Sequence, residues 1–356
     1  MIRFAARRGG GHLELSLAPY HLRQETTVPH DNISGAPGAL LELSATLQFD
    51  GSVWLSSSLE VAATRPFGTC IEVHGYLRLQ AASALKMRNC ESTFHGGALQ
   101  DGGALTVENS SMFFEDCSAE LGGAVYVARS ASVLRSTMNV SRCRAAKSGG
   151  GFYVGSGEMA LTNSTARFVM TGTDASFTAC GAGIAGGGLD VEGVIEVAGD
   201  TELQLSDCHA PRGSALHAAF GMALSDVRIK NCTGLGPDMV VDTGTLSANH
   251  IALDYDGPEN GETFYMVGAN ISVSELDCTN VSECIIGADA GIVTRLHCPP
   301  GRGRLSRSPD YGCFLCESGR LGFAPEISGH KARLAVGLVA GALEEVLVKI
   351  SSAILP

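Results

Sequence analysis

The chain has 356 residues, a net charge of −12, 45% hydrophobic and 17% charged residues, and 45 glycines against 12 prolines. The hydrophobic share excludes a disordered chain, and glycine excess without a Gly-X-Y period excludes collagen. The acidic balance argues against binding nucleic acid or anionic membrane through general electrostatics, because a phosphate backbone selects a basic face.

Along the chain, Arg3, Arg7 and Arg8 form a basic run, and Met1 to Gly11 lacks the apolar stretch of a signal peptide. An incomplete N-terminus is therefore expected, with residues 1–39 as an N-terminal segment or cap. From residue 40 to 79 apolar residues alternate with polar ones, as in Leu41, Leu43 and Leu47, then Val53, Leu55, Leu59 and Val61. That period of two is the mark of strands with one buried face.

A repeat follows. Cys90, Cys117, Cys143, Cys180, Cys208 and Cys232 are separated by 27, 26, 37, 28 and 24 residues, and each closes a strand with apolar residues three and five positions earlier. Phe114 and Met112 before Cys117 are one example. After each cysteine comes a small residue, a turn, and a Gly-Gly-small element that opens a second strand. Gly103, Gly123, Gly150 and Gly187 are read as the middle of that element, with Gly213-Ser214-Ala215 as a degenerate copy. A third strand is expected at Ser132 to Leu134, Glu158 to Leu161, Val194 to Val197 and Met222 to Leu224. Three short strands in about 26 residues make one coil of a parallel solenoid, whereas helical repeats and propeller blades need longer units. The 37-residue interval predicts an inserted loop near Asn163 to Asp174. Residues 248–293 continue with short strands in weaker phase.

Ten asparagines include seven that begin an N-x-[ST] sequon: Asn32, Asn109, Asn139, Asn163, Asn231, Asn270 and Asn280. Chance would supply about one or two. With 12 cysteines this points to an oxidising, secretory setting. Cys278, Cys284, Cys298, Cys313 and Cys316 are disulfide candidates; the six repeat cysteines are expected to serve mainly as packing elements. Residues 298–329 form a Cys-rich segment. Residues 330–356 follow as an amphipathic helix bearing Leu334, Leu338, Leu343, Val346 and Ile350.

The pattern of Phe114 to Ala119 with Gly122 to Ala124 resembles the GGA and FxxN repeats of chlamydial polymorphic membrane proteins, over roughly residues 85–236. Cysteine stands here where that motif has asparagine. Cys298-Pro299-Pro300-Gly301 with Cys313, Cys316 and Gly319 resembles half of an ephrin-receptor-like cysteine module. These resemblances imply a right-handed β-helical passenger displayed outside the cell, often adhesive.

The fold expected is therefore all-β, a right-handed parallel β-helix of pectin-lyase-like architecture over residues 40–297. Such folds include polysaccharide lyases and glycoside hydrolases, which keeps a carbohydrate-active enzyme as the alternative. Arg228-Ile229-Lys230 is similar to a polygalacturonase motif, but no adjacent Asp pair accompanies it. Asp190, Glu192 and Glu196 read as a solvated acidic face, and His95, His209 and His217 as turn or exposed strand residues. Gly181, Gly183 and Gly186 spell G-x-G-x-x-G ahead of a strand rather than a helix, which opposes a dinucleotide site. No cofactor, metal or catalytic residue is assigned, and no clear membrane span is found. The expected function is a secreted or cell-surface structural or adhesive protein whose partner is an extracellular glycan or protein.

Overall fold

Alternating apolar residues bury one face of each short strand, and stacking those faces in coils closes an interior that no single coil could hide. A computed structural model of the chain describes residues 3–315 apart from 8–9, 16–19, 23–25, 29–30, 36–39, 65–67, 81, 157–165, 256–262, 279–280, 282, 299–301 and 308–309. Strand is the only regular element among them, wound as a parallel β-solenoid of about 8 turns. Sheet I stacks Leu47–Phe49, Ile71–Val73, Leu99–Asp101, Val125–Val127, Phe152–Val154, Leu189–Val191, Leu216–Ala218 and Met239–Val241 in parallel register. Sheet II stacks Val53–Leu55, Leu77–Leu79, Ala104–Glu108, Ser130–Leu134 and Arg167–Thr171. Sheet III stacks Leu59–Ala63, Ala84–Arg88, Ser111–Glu115, Thr137–Ser141 and Asp174–Thr178.

From Val194–Ser206 onward, one continuous strand runs through sheets II and III in each coil. Thr263–Asp277 and Glu283–His297 run through all three. The weak phase after residue 248 reflects this merging, because the corners there no longer interrupt the strands. Parallel pairing also precedes residue 40: Asp31–Gly35 stacks on Val53–Leu55, and Gly10–Leu15 on Asp31–Gly35. Each end carries an antiparallel strand on one sheet, Arg3–Arg7 against Gly10–Leu15 and Asp310–Leu315 against Cys284 to Gly287. Reversing direction stops further parallel stacking on that edge.

Two corners share one backbone solution. Asn109, Arg135 and Gly172, at φ of 47°, 47° and 58°, turn sheet II into sheet III just ahead of Ser110, Ser136 and Thr173. Asp116, Arg142, Ala179, Asp207 and Asn231, at φ between 47° and 54°, turn out of sheet III just ahead of Cys117, Cys143, Cys180, Cys208 and Cys232. The side chain after the left-handed residue then donates to the carbonyl two residues back. Ser136 Oγ does so to Leu134 at 2.6 Å, and Cys143 Sγ to Ser141 at 3.2 Å. Coil order at the cysteine corner is set by backbone bonds, since the amides of Ser118, Arg144, Gly181, His209 and Thr233 donate to Cys90, Cys117, Cys143, Cys180 and Cys208.

Gly123, Gly150 and Gly187 follow that corner, where an added Cβ would come within 2.2 Å of the next coil's backbone carbonyl. Their true counterpart in the preceding coil is Gly97, against the carbonyl of Gly123, and not Gly103. Gly103 instead stacks on Gly75 at the entrance to sheet II. The misassignment has a simple cause: Gly-Gly-Ala-Leu occurs twice, at residues 96–99 and 102–105, six residues apart. The sheet II strand of the long coil is likewise Arg167–Thr171, with Phe168 and Met170 fully buried. Glu158 to Leu161 lies outside the described residues, and regular stacking has resumed by residue 167. The long interval is thus taken up before that point. Cys316 and the helix expected over 330–356 also lie outside the described residues.

Aromatic rings gather in the interior of the middle coils, while Phe49 and Phe264 are buried singly nearer the ends. Phe152 meets Phe114, Phe168 and Phe177 edge-on at ring separations of 5.8–6.0 Å. Gly151 and Gly188 leave room for the Phe177 ring and the Leu205 side chain beside them.

Candidate functional site

The middle residue of each three-residue strand in sheet I points away from the interior, placing Gln100, Tyr126, Tyr153, Asp190, His217 and Val240 on successive rungs. Tyr126, Tyr153, Asp190 and His217 are nevertheless buried. Leu121, the last residue of the strand Ser118–Leu121 between the cysteine corner and sheet I, packs against the two tyrosines. His95, Tyr126 and Tyr153 form a continuous ring stack, with centroids 4.3 Å and 5.6 Å apart. Burial lowers the pKa of His95 despite nearby Glu120. The Tyr153 hydroxyl donates to Glu192, and both burial and that carboxylate hold its proton tightly. Glu192 also accepts from the Ser156 amide at 2.8 Å and its hydroxyl at 3.2 Å.

One coil further, His217 Nδ1 lies 2.7 Å from Asp190 and its Nε2 3.2 Å from Asp242, which Arg212 also contacts. Burial alone would favour neutral imidazole, but the two carboxylates outweigh it and raise the pKa to about 9. At neutral pH His217 is an imidazolium with both nitrogens engaged. It has no free nitrogen to take a proton from a substrate, so the group is an ion cluster tying three coils together. Asp190 and His217 are thus not the exposed residues the sequence suggested. The signal was present: Asp190, His217 and Asp242 are 27 and 25 residues apart, one coil each, at outward positions. Replacing Asp190 by Ala removes one end of a buried pair and is expected to cost about 3–5 kcal/mol. Glu196 belongs elsewhere, paired with Arg167 on sheet II at 2.6 Å, and His209 is an exposed corner residue.

A second cluster lies on sheet III. Asp174, Glu202, Asp226 and His250 occupy successive rungs of one outward column. A shallow open depression of about 400 Å³ is lined by Asp200, Glu202, Asp226, Arg228 and His250. Arg228 stands 3.8 Å from Glu202 and His250 3.4 Å from Asp226, all well exposed. Lys230 reaches Asp254 at 3.5 Å. Among the described residues no three His, Cys, Asp or Glu side chains converge as a metal site would require, and no helix is long and apolar enough to cross a membrane.

Disulfides join Cys70 to Cys90, Cys278 to Cys284 and Cys298 to Cys313, with Cα separations of 5.8, 6.1 and 5.5 Å. Cys90 is therefore bonded rather than a free packing element. Its partner escaped the sequence reading because Cys70, 20 residues away, falls off the coil period. The other five repeat cysteines are free and buried. Of the sequon residues, Asn109 and Asn270 are exposed, and Asn139 and Asn231 are half-buried. The Asn139 amide oxygen accepts from Ser176 at 2.7 Å on the sheet III face. Asn32 falls in Asp31–Gly35, whereas Asn163 and Asn280 lie outside the described residues.

No protein-family model, curated protein or solved structure matches this chain.

Proposed function

We propose that the chain is an extracellular or cell-surface solenoid of structural or adhesive type, offering long sheet faces to a glycan or protein. One observation carries the reading: outward charges are spent on rung-to-rung pairs. Glu108 pairs with Arg135 and Arg78, Glu115 and Asp116 with Arg142, Glu120 with Lys147, and Asp190 and Asp242 with His217. Such pairing holds coils in register without gathering groups of matched protonation around a reacting bond. The seven sequons, the three disulfides and the resemblance to chlamydial passengers and ephrin-receptor-like modules support the location.

One feature favours the alternative, a carbohydrate-active enzyme: the Asp174, Glu202 and Asp226 column beside the sheet III depression. The test is to apply the purified chain to glycan and protein arrays and, in parallel, to pectin, pectate and related uronic-acid polymers with and without calcium. Retention without cleavage is expected. Cleavage abolished by Glu202→Gln or Asp226→Asn would replace the scaffold with an enzyme, and no retention on either array would remove the adhesive role.

A further inference from the structure

The five free thiols among the described residues are neighbours, not isolated residues. Cys117, Cys143, Cys180, Cys208 and Cys232 are at most 1% exposed and occupy the same corner of successive coils, tied carbonyl to amide through the residue that follows each. Neighbouring thiols shift one another's titration: contact with Cys117 raises the pKa of Cys143, contact with Cys208 that of Cys180, and contact with Cys232 that of Cys208. Across the long interval, Cys180 raises the pKa of Cys143 through its charge alone. Parallel strands stack about 4.8 Å apart, inside the roughly 4.4–6.8 Å span of disulfide Cα pairs. The corner already carries one such bond, because Cys90, the rung before Cys117, is joined to Cys70.

From this juxtaposition we propose that the cysteine corner is a latent disulfide ladder, in which a low-molecular-mass disulfide oxidises Cys117 with Cys143 and Cys180 with Cys208, leaving Cys232 as a thiol. For each pair, one thiol loses its proton to solvent and the thiolate attacks a sulfur of the oxidant. The oxidant's S–S bond breaks, a mixed disulfide forms and one small thiol leaves. The neighbouring cysteine then attacks the protein sulfur of that mixed disulfide, releasing the second small thiol. Two protein thiols lose two electrons and two protons, and one oxidant molecule gains them. Contact with neighbouring thiols and burial both hold the Cys143 and Cys180 protons, so few thiolates form in the closed stack. The reaction therefore proceeds through local opening and quickens with pH and with sub-denaturing urea.

The chemistry stands apart from the adhesive reading, since it is measured on purified protein whatever its location. The test incubates the folded chain with oxidised glutathione at pH 8 in sub-denaturing urea, then counts thiols after denaturation and maps cross-links by peptide mass spectrometry. Wild type should lose four thiols and yield Cys117–Cys143 and Cys180–Cys208 peptides. Cys143→Ser should lose two, keeping Cys180–Cys208, and Cys232→Ser should still lose four. Thiols that stay reduced while hydrogen exchange shows the corner amides opening would overturn the proposal. So would cross-links between non-adjacent rungs, or glutathione adducts that never resolve. The wild-type peptide map decides the matter even if a variant fails to fold.

Discussion

The two left-handed corners of the middle coils do the same geometric task with different atoms. At the corner between sheets II and III a hydroxyl donates to the carbonyl two residues back, at 2.8 Å from Ser110 and 2.6 Å from Ser136. At the corner leaving sheet III a thiol makes the same contact at 3.2 Å from Cys117 and Cys143 and 3.5 Å from Cys208. The fold thus demands a small donor after a left-handed residue; whether it is oxygen or sulfur is open. Oxygen gives the stronger bond, while sulfur fills an apolar row better and adds reactivity.

The harshest way to break the comparison is to remove what the cysteine corner leans on. Phe177 is fully buried, packs edge-on to Phe152 at 6.0 Å and closes its strand three residues before Cys180. Phe177→Ala should cost about 3–5 kcal/mol in urea unfolding. A loss below 1 kcal/mol would mean that corner hydrogen bonds, not the aromatic interior, hold these coils.

A matched pair then asks which donor matters more. Thr173 is fully buried and its hydroxyl lies 3.0 Å from the Val133 carbonyl and 3.2 Å from that of Thr171. Thr173→Val should cost roughly 1–3 kcal/mol, because buried acceptors lose their partner. Cys180→Ala, which gives up weaker contacts of 3.6 Å and a single sulfur volume, should cost about 1 kcal/mol. Equal losses would show that the thiol serves as a donor of full strength.

Much of this architecture was legible in the sequence, and the limits have physical causes. Cys117, Cys143, Cys180 and Cys208 announce the coil because a crowded inner row admits few residue types. The Ser/Thr row was missed since serine and threonine are common at any turn, so Ser110, Ser136 and Thr173 carry no contrast. The left-handed corners at Arg135, Arg142 and Ala179 were invisible for the opposite reason: none is Gly, Asn or Asp, and stacking rather than propensity imposes the conformation. The ion cluster of Asp190, His217 and Asp242 required the coil period to be applied to outward residues as well as inward ones.

Titration separates the corners as well, since only thiols ionise in an accessible range. Contact with Cys117 and burial raise the Cys143 pKa well above the ordinary thiol value. A raised pKa gives stability that is fully present below the unfolded-state value, near 8.5, and lost as pH rises toward the folded-state value. In that window each such thiol should steepen the loss of unfolding free energy by about 1.4 kcal/mol per pH unit. Cys143→Ser should remove its share, whereas Ser136→Ala should leave the slope above pH 8.5 unchanged. An identical slope in Cys143→Ser would show that the thiol is no more protected than in the unfolded chain.

The smallest expected effect tests the backbone that both corners share. Ala179 holds a left-handed φ of 54° at the cysteine corner, and Gly172 holds 58° at the other. A Cβ in that conformation costs roughly 1–2 kcal/mol, while glycine returns about 0.5–1 kcal/mol through its freer unfolded chain. Ala179→Gly should therefore stabilise the fold by about 0.5–1 kcal/mol. Gly172→Ala should destabilise it by a similar amount, for the added Cβ meets nothing nearer than Arg135 Cγ at 3.6 Å and the cost is conformational. Opposite shifts of equal size in the urea midpoint would show that one backbone geometry serves both corners. If Ala179→Gly destabilises instead, the Ala179 methyl group contributes packing at the cysteine corner that the hydroxyl corner does without.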